Sequence, residues 1–202
     1  MKNLTNFLLE SSNKTEKKYR LTDETTRING KTLYRIEALK AFWGLKKGDK
    51  GGFIEKEDNL SQEGNCWVYD DAKVYDNAKV YDNAKIDENA VVYGNAQVYD
   101  NAVIYGNAVV YDDAKVYGYA EVFSNSKVHG EATVYGDAKI YGNAEIRGIT
   151  KVEDEAEVYG NAKVYGHAKV SDNAIVRDEA EVYGNAVVCG RTKIYYNMKV
   201  NK

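Results

Sequence analysis

Residues 74–108 read VYDNAKVYDNAKIDENAVVYGNAQVYDNAVIYGNA. Stepping by six from Val68 to Val200 meets 23 positions, and each is Val or Ile. Four residues after each of the first 22 stands Ala in 18 cases; the exceptions are Ser126, Thr150, Thr192 and Met198. In the unit A-K-V-Y, alternate side chains point to opposite sides of an extended chain. Ala and Val/Ile therefore share one face, and Lys and Tyr the other. Gly-Asn or Asp-Asn follows and turns the chain, because these residues tolerate positive φ and the Asn and Asp oxygens satisfy nearby amides. A strand this short cannot bury its apolar face alone, whereas stacked units can.

The bulk composition is that of a globular chain: 202 residues, 44% hydrophobic and 29% charged, with 18 Tyr against 4 Phe and 2 Trp and no Pro. Residues 1–60 hold 13 Lys+Arg and 9 Asp+Glu, a balance of +4, and residues 61–202 hold 15 and 22, a balance of −7. Neither supports nucleic-acid binding by charge alone, and no basic groove runs between aromatics. No run reaches the length of a membrane span. The opening MKNLTNFLLESSNK has no cleavage site for a signal peptide, so the expected location is the cytoplasm. Cys66 and Cys189 sit at opposite ends of the array and are expected to be reduced thiols. No Cys/His cluster or calcium-type repeat is present, so neither a metal nor another cofactor is expected.

A branched aliphatic every six residues, with a small residue four later, resembles the left-handed parallel β-helix superfamily. The resemblance covers Leu60 to Val200. It implies an all-β, single-stranded triangular solenoid in which three hexapeptides make one 18-residue coil. About seven coils stacked at strand spacing would make a prism about 35 Å long. Within that superfamily the V-Y-G-N-A units are similar to those of YdcK-like β-solenoid proteins. Two segments, KYRLTDETTRINGKTLYRIEALK (18–40) and KGDKGGFIEKEDNLSQEGNCWVYD (47–70), also resemble small proteins of low-GC bacteria and their phages. Well-known β-helix members are acyltransferases, and YdcK-like proteins carry a transferase label by fold analogy, which does not establish function.

Residues 1–59 depart from the repeat and are expected to form a small α/β cap, ahead of a solenoid over 60–202. Asn3–Ser11 reads as one or two helical turns, and Tyr19–Leu21 and Thr32–Ile36 as strands. Asn29-Gly30 reads as the turn of a hairpin. Phe42 and Trp43 are expected to cover the open first coil, since a bare solenoid end invites edge pairing. Gly48, Gly51 and Gly52 mark a tight lead-in. At the other end Tyr196 and Met198 fill turn and Ala positions, and the final edge is expected either to be protected by its shortness and by Lys199 and Lys202, or to pair with another subunit.

With 18 residues per coil, the residue after each Val/Ile falls into one of three columns. Face one carries Tyr69, Asp87, Tyr105, Phe123, Tyr141, Tyr159, Arg177 and Tyr195. Face two begins with Tyr75, Tyr93 and Tyr111, flanked by Val91 and Val109, and continues with His129 and Arg147. Face three begins with Tyr81, Tyr99, Tyr117 and Tyr135. A Tyr ladder needs no partner to be stable, because stacked Tyr support one another along parallel strands. The same ladder is also a flat aromatic surface of the kind enriched at protein interfaces. Val91 and Val109 make the start of face two the most apolar outward surface, and it is expected to be exposed. His129 and Arg147 interrupt an otherwise uniform pattern, which marks them as candidates for function.

These readings point to a non-enzymatic, rigid binding or assembly module. It would dock a protein partner, or its own copy as a dimer or trimer, through Tyr-rich faces. A phage- or prophage-encoded accessory or inhibitor protein would suit the resemblance. The alternative is an acyltransferase-like enzyme with a site between subunits and His129 as general base.

Overall fold

The computed structural model describes residues 16–202. The Asn3–Ser11 helical turns of the sequence reading lie outside the described residues. The described chain is all β apart from one 3-10 turn at Glu57–Asn59. Strands β1 (Tyr19–Ile28), β2 (Lys31–Ala38) and β3 (Lys50–Ile54) lead into the repeat. There each hexapeptide supplies one strand of two or three residues, from β4 (Trp67–Val68) to β26 (Lys199–Asn201).

These repeat strands stack in parallel on three faces of a solenoid with about eight turns. Face one is an eight-stranded sheet, face three a seven-stranded sheet, and face two an eleven-stranded sheet that includes β1, β2 and β3. Partners within the repeat are 18 residues apart, as in Val91↔Val109 and Val110↔Val128. Alternate amides donate to the next turn: Val91 N to Ala108 O at 3.0 Å, Tyr93 N to Val110 O at 3.0 Å, and Asn95 N to Asp112 O at 2.7 Å. Every inward Val and Ile from Val68 to Ile194 is buried, with the intervening Ala residues beside them.

The solenoid starts two sides before the unbroken repeat at Val68. Ile54 pairs with Val74 and Leu60 bridges Val80, each 20 residues away instead of 18. The loop after Leu60 holds two extra residues, so the regular register begins at Trp67–Lys85. Close approach here requires glycine: a Cβ on Gly52 would stand 2.6 Å from Ala72 O, and one on Gly51 would stand 2.5 Å from Val68 O.

Among the described residues the head is a β-hairpin followed by β3. Asn29 (φ 49°) and Gly30 (φ 78°) make its two-residue turn, as the sequence implies. Strand β2 pairs antiparallel with β3, and β3 pairs parallel with Lys73–Val74, so the head extends the sheet of face two. Trp67 in the first turn is fully buried. Tyr19 meets it edge-on at 6.1 Å and Phe42 at 5.4 Å. Trp43 does not join this cover; it is half exposed, beneath the Lys85 ammonium. In the last turn Met198 is 42% exposed, so it does not fill the interior as the Ala residues do.

The corners carry their own bonds. Asp residues take positive φ, and their carboxylates accept the amide 18 residues on: Asp100 from Gly118, Asp112 from Gly130, and Asp172 from Gly190. Asn side chains run as ladders, Asn107 to Asn125 to Asn143 to Asn161 at 3.0–3.3 Å.

Two of the Ala-position exceptions lie buried inside the prism. The Ser126 hydroxyl donates to Phe123 O at 2.8 Å, whereas Thr150 Oγ1 has no hydrogen-bond partner among the described residues. Burying an unsatisfied hydroxyl is unfavourable. Thr150→Val is therefore expected to raise the unfolding free energy by about 1 kcal/mol, read as a higher urea midpoint at constant m-value. Ser126→Ala is expected to lower that midpoint.

Candidate docking faces

The repeat places one outward side chain per strand at strand spacing, which is close to the stacking distance of aromatic rings. The three columns read from the sequence form on the three faces. On face two, Tyr75, Tyr93 and Tyr111 stack at 5.0 Å with planes within 3°, and the His129 ring continues the stack at 4.5 Å from Tyr111. The Arg147 guanidinium lies 4.6 Å over Tyr165, which stacks on Tyr183 at 5.1 Å. Glu145 links the middle of the column: its Oε1 is 3.1 Å from His129 Nε2 and 3.4 Å from Arg147 Nε.

On face three, Tyr81, Tyr99, Tyr117 and Tyr135 stack at 4.8–4.9 Å. That ladder stops where the Tyr135 hydroxyl meets the Glu153 carboxylate, which also holds Lys169. Face one has an equally regular ladder that the sequence reading did not single out: Tyr105, Phe123, Tyr141 and Tyr159 stack at 4.6–4.9 Å. The same 18-residue spacing carries it, so its signal was present in the sequence.

The start of face two is not an exposed surface. Tyr75 is 2% exposed and forms a small buried cluster with Leu33 and Phe53, against which Ile28, Val91 and Tyr93 pack. The hairpin tip is fastened there: Asn29 Nδ2 donates to the Tyr75 hydroxyl at 3.2 Å, and Lys31 pairs with Asp76 and Glu55. The physical reason is the placement of the head. The long hairpin extends this same sheet and packs its own aliphatic residues into the cluster of the first ladder ring, Tyr75. The surface open to another molecule therefore runs from Val109 and Tyr111 through His129, Arg147 and Tyr165 to Tyr183.

His129 is half-buried, with Nδ1 3.8 Å from Asp112 as well as Nε2 on Glu145. It stands in the rank of a flat sheet face, between an aromatic ring and an arginine. A shallow depression at the head–solenoid seam is lined by Arg35, Asp70, Asp71, Glu88 and Asn89, away from His129. Among the described residues no three His, Cys, Asp or Glu side chains converge as a metal would need, and no helix is long and apolar enough to cross a membrane.

Residues 96–112 match the family described as the YdcK β-solenoid repeat. Over 62 residues the chain is 37% identical to a protein of Escherichia coli (strain K12) named "Uncharacterized acetyltransferase YdcK". That alignment takes in 27% of this chain and 19% of the relative, so the chain matches about a fifth of the relative's length.

Stacking withdraws the phenols from water. The Tyr99 hydroxyl is pushed up to about 12, first by burial, then by its neighbours Tyr117 and Tyr81 and by the Asp100 and Asp82 carboxylates. Burial also raises Tyr81, Tyr93, Tyr111 and Tyr117. A folded pKa above the unfolded value means that the native chain holds the proton more tightly. The contribution of Tyr99 is thus whole below pH about 10, the unfolded tyrosine value, and is lost as pH climbs through about 12; its raised neighbours act in the same direction. Tyrosinate absorbance of the native chain is expected to rise at higher pH than in denaturant, and chemical stability to fall from pH about 10 upward.

Proposed function

From a chain built of YdcK-like β-solenoid repeats, we propose a rigid, non-catalytic docking module that takes a protein partner on the open part of face two. The observation that supports this reading is the hairpin already seated on the same column. At Tyr75 the ladder joins a cluster with Leu33 and Ile28 of the hairpin and receives an amide on its phenol hydroxyl, with a lysine on the adjacent corner aspartate. Tyr111, with Asp112 at its corner, repeats the phenol and the corner carboxylate, and Tyr165 and Tyr183 repeat the phenol farther along the prism. A partner presenting a β-hairpin or strand with aliphatic residues and a lysine fits that pattern. Such a module suits an accessory or inhibitor protein, and a second copy of the chain is the other occupant the surface admits.

The aromatic anchors carry the expected energy. Tyr111→Ser combined with Tyr165→Ser is expected to weaken partner binding on the order of tenfold or more, leaving circular dichroism and the thermal midpoint close to wild type. Tyr141→Ser with Tyr159→Ser on face one is expected to leave binding intact. Equal loss from both pairs, measured by calorimetry or surface capture, would move the interface off face two. Light scattering on the same proteins separates the occupants: a dimer broken by the face-two pair assigns the surface to a second copy.

A second reading has a specific observation behind it. His129 forms a contact with Glu145 of the kind that orients a general base, and the relative's printed name is that of an acetyltransferase. Acetyl-coenzyme A binding that is abolished by His129→Ala would favour an enzyme with an inter-subunit site.

A further inference from the structure

A buried lysine and a buried cysteine meet where the head joins the solenoid. Lys18 is 1% exposed and Cys66 is fully buried. The Lys18 Nζ lies 3.2 Å from Cys66 Sγ, and its other polar contacts are the backbone carbonyls of Cys66 at 3.0 Å, Glu63 at 3.2 Å and Gly64 at 3.4 Å. The Phe42 ring closes the other side, 5.5 Å from Nζ. The lysine backbone is held too: Lys18 N donates to Gln62 Oε1 at 2.8 Å, and the adjacent Tyr19 hydroxyl donates to Leu60 O at 2.7 Å.

We propose that this pair is a modification site at which a peroxide closes a covalent cross-link between Lys18 Nζ and Cys66 Sγ. Neither the repeat nor the proposed docking role uses these two residues. A lysine whose polar partners are carbonyls and a thiol lacks the carboxylate that would stabilise a buried ammonium. Burial accordingly lowers the Lys18 pKa and raises that of the Cys66 thiol, each against a smaller opposing pull from the other. That direction favours the neutral amine, the form in which nitrogen can attack sulfur.

The chemistry balances with hydrogen peroxide as the oxidant. The thiol takes one oxygen from peroxide to give a sulfenic acid and one water; sulfur is oxidised by two electrons and the peroxide O–O bond is reduced. The amine nitrogen then attacks the sulfur, the S–O bond breaks, and the departing hydroxyl leaves as water with a proton from nitrogen. A sulfenamide S–N bond remains. Sulfenic acids are known to condense with nitrogen in this way, and the 3.2 Å approach already holds the reacting atoms in contact. The oxidant reaches the pair through local opening of the head seam. Capture by the amine keeps Cys66 from climbing to sulfinic acid. The exposed Cys189 has no such protection and serves as the internal reference.

The test treats the full chain with hydrogen peroxide until Cys189 is oxidised, blocks free thiols, and maps tryptic peptides by mass spectrometry. The expected result is a joined species containing Lys18 and Cys66, lighter than its two peptides by two hydrogens, uncut after Lys18 and released by dithiothreitol. A joined species with one additional oxygen also supports the site: sulfenic acid, amine and a second peroxide give S–O–N and two waters. In Lys18→Met, which has a similar length and no nucleophilic nitrogen, the joined species is expected to vanish and Cys66 to appear as sulfinic or sulfonic acid. If that variant fails to fold, the wild-type map still decides. Cys66 found unmodified or over-oxidised in wild type, without linkage to Lys18, overturns the proposal. A second readout is the thermal midpoint, expected to rise on peroxide treatment, to fall back on reduction, and to stay unmoved by peroxide in Cys66→Ser.

Discussion

Every part of this protein depends on the hydrogen bonds that one turn of the solenoid makes to the next. A two-residue strand has no stability alone, since it orders backbone without burying a face. Here each hexapeptide donates through alternate amides to a turn 18 residues farther on. The corner aspartates and asparagines add side-chain bonds in the same direction. The spacing of those bonds then sets the spacing of everything outside them, including the aromatic rings at 4.5–5.1 Å.

This constraint explains why the inward residues are so uniform and the outward ones are free to vary. An inward Val or Ile is surrounded by copies of itself above and below, and by Ala at the corner, so a change in volume has nowhere to go. The tolerated exceptions are small, Ser126 and Thr150, or lie in the last turns, Thr192 and Met198. Outward positions meet only their column neighbours. Tyr can thus give way to His129 or Arg147, which keep a planar group in the stack.

The head uses the solenoid's surface as well as its end. Strand β3 extends the sheet of face two, Phe42 and Tyr19 pack on Trp67, and the hairpin tip covers Tyr75. The ladder is therefore a surface on which this chain already docks a segment of its own. Tyr111 onward offers the same chemistry without that cover. The Lys18–Cys66 contact sits on the seam of this arrangement, and a bond there would tie the head to the first turn.

The repeat was legible in the sequence because its period is unbroken. Val or Ile every six residues, small residues between, and Gly, Asn or Asp at the corners mark short strands that must stack, and the 18-residue turn that yields three columns came from the resemblance to left-handed β-helices. The hairpin turn at Asn29-Gly30 was legible for a local reason, since its conformation needs positive φ at both residues. What the sequence could not supply was the relation between segments that share no period. The pairing of Ile54 with Val74, the burial of Tyr75 beneath Leu33, and the meeting of Lys18 with Cys66 all join the irregular head to the array. Local spacing carries no information about such contacts. They depend on how far β2 and β3 continue one sheet and on where that places the hairpin, and the tertiary structure alone decides it.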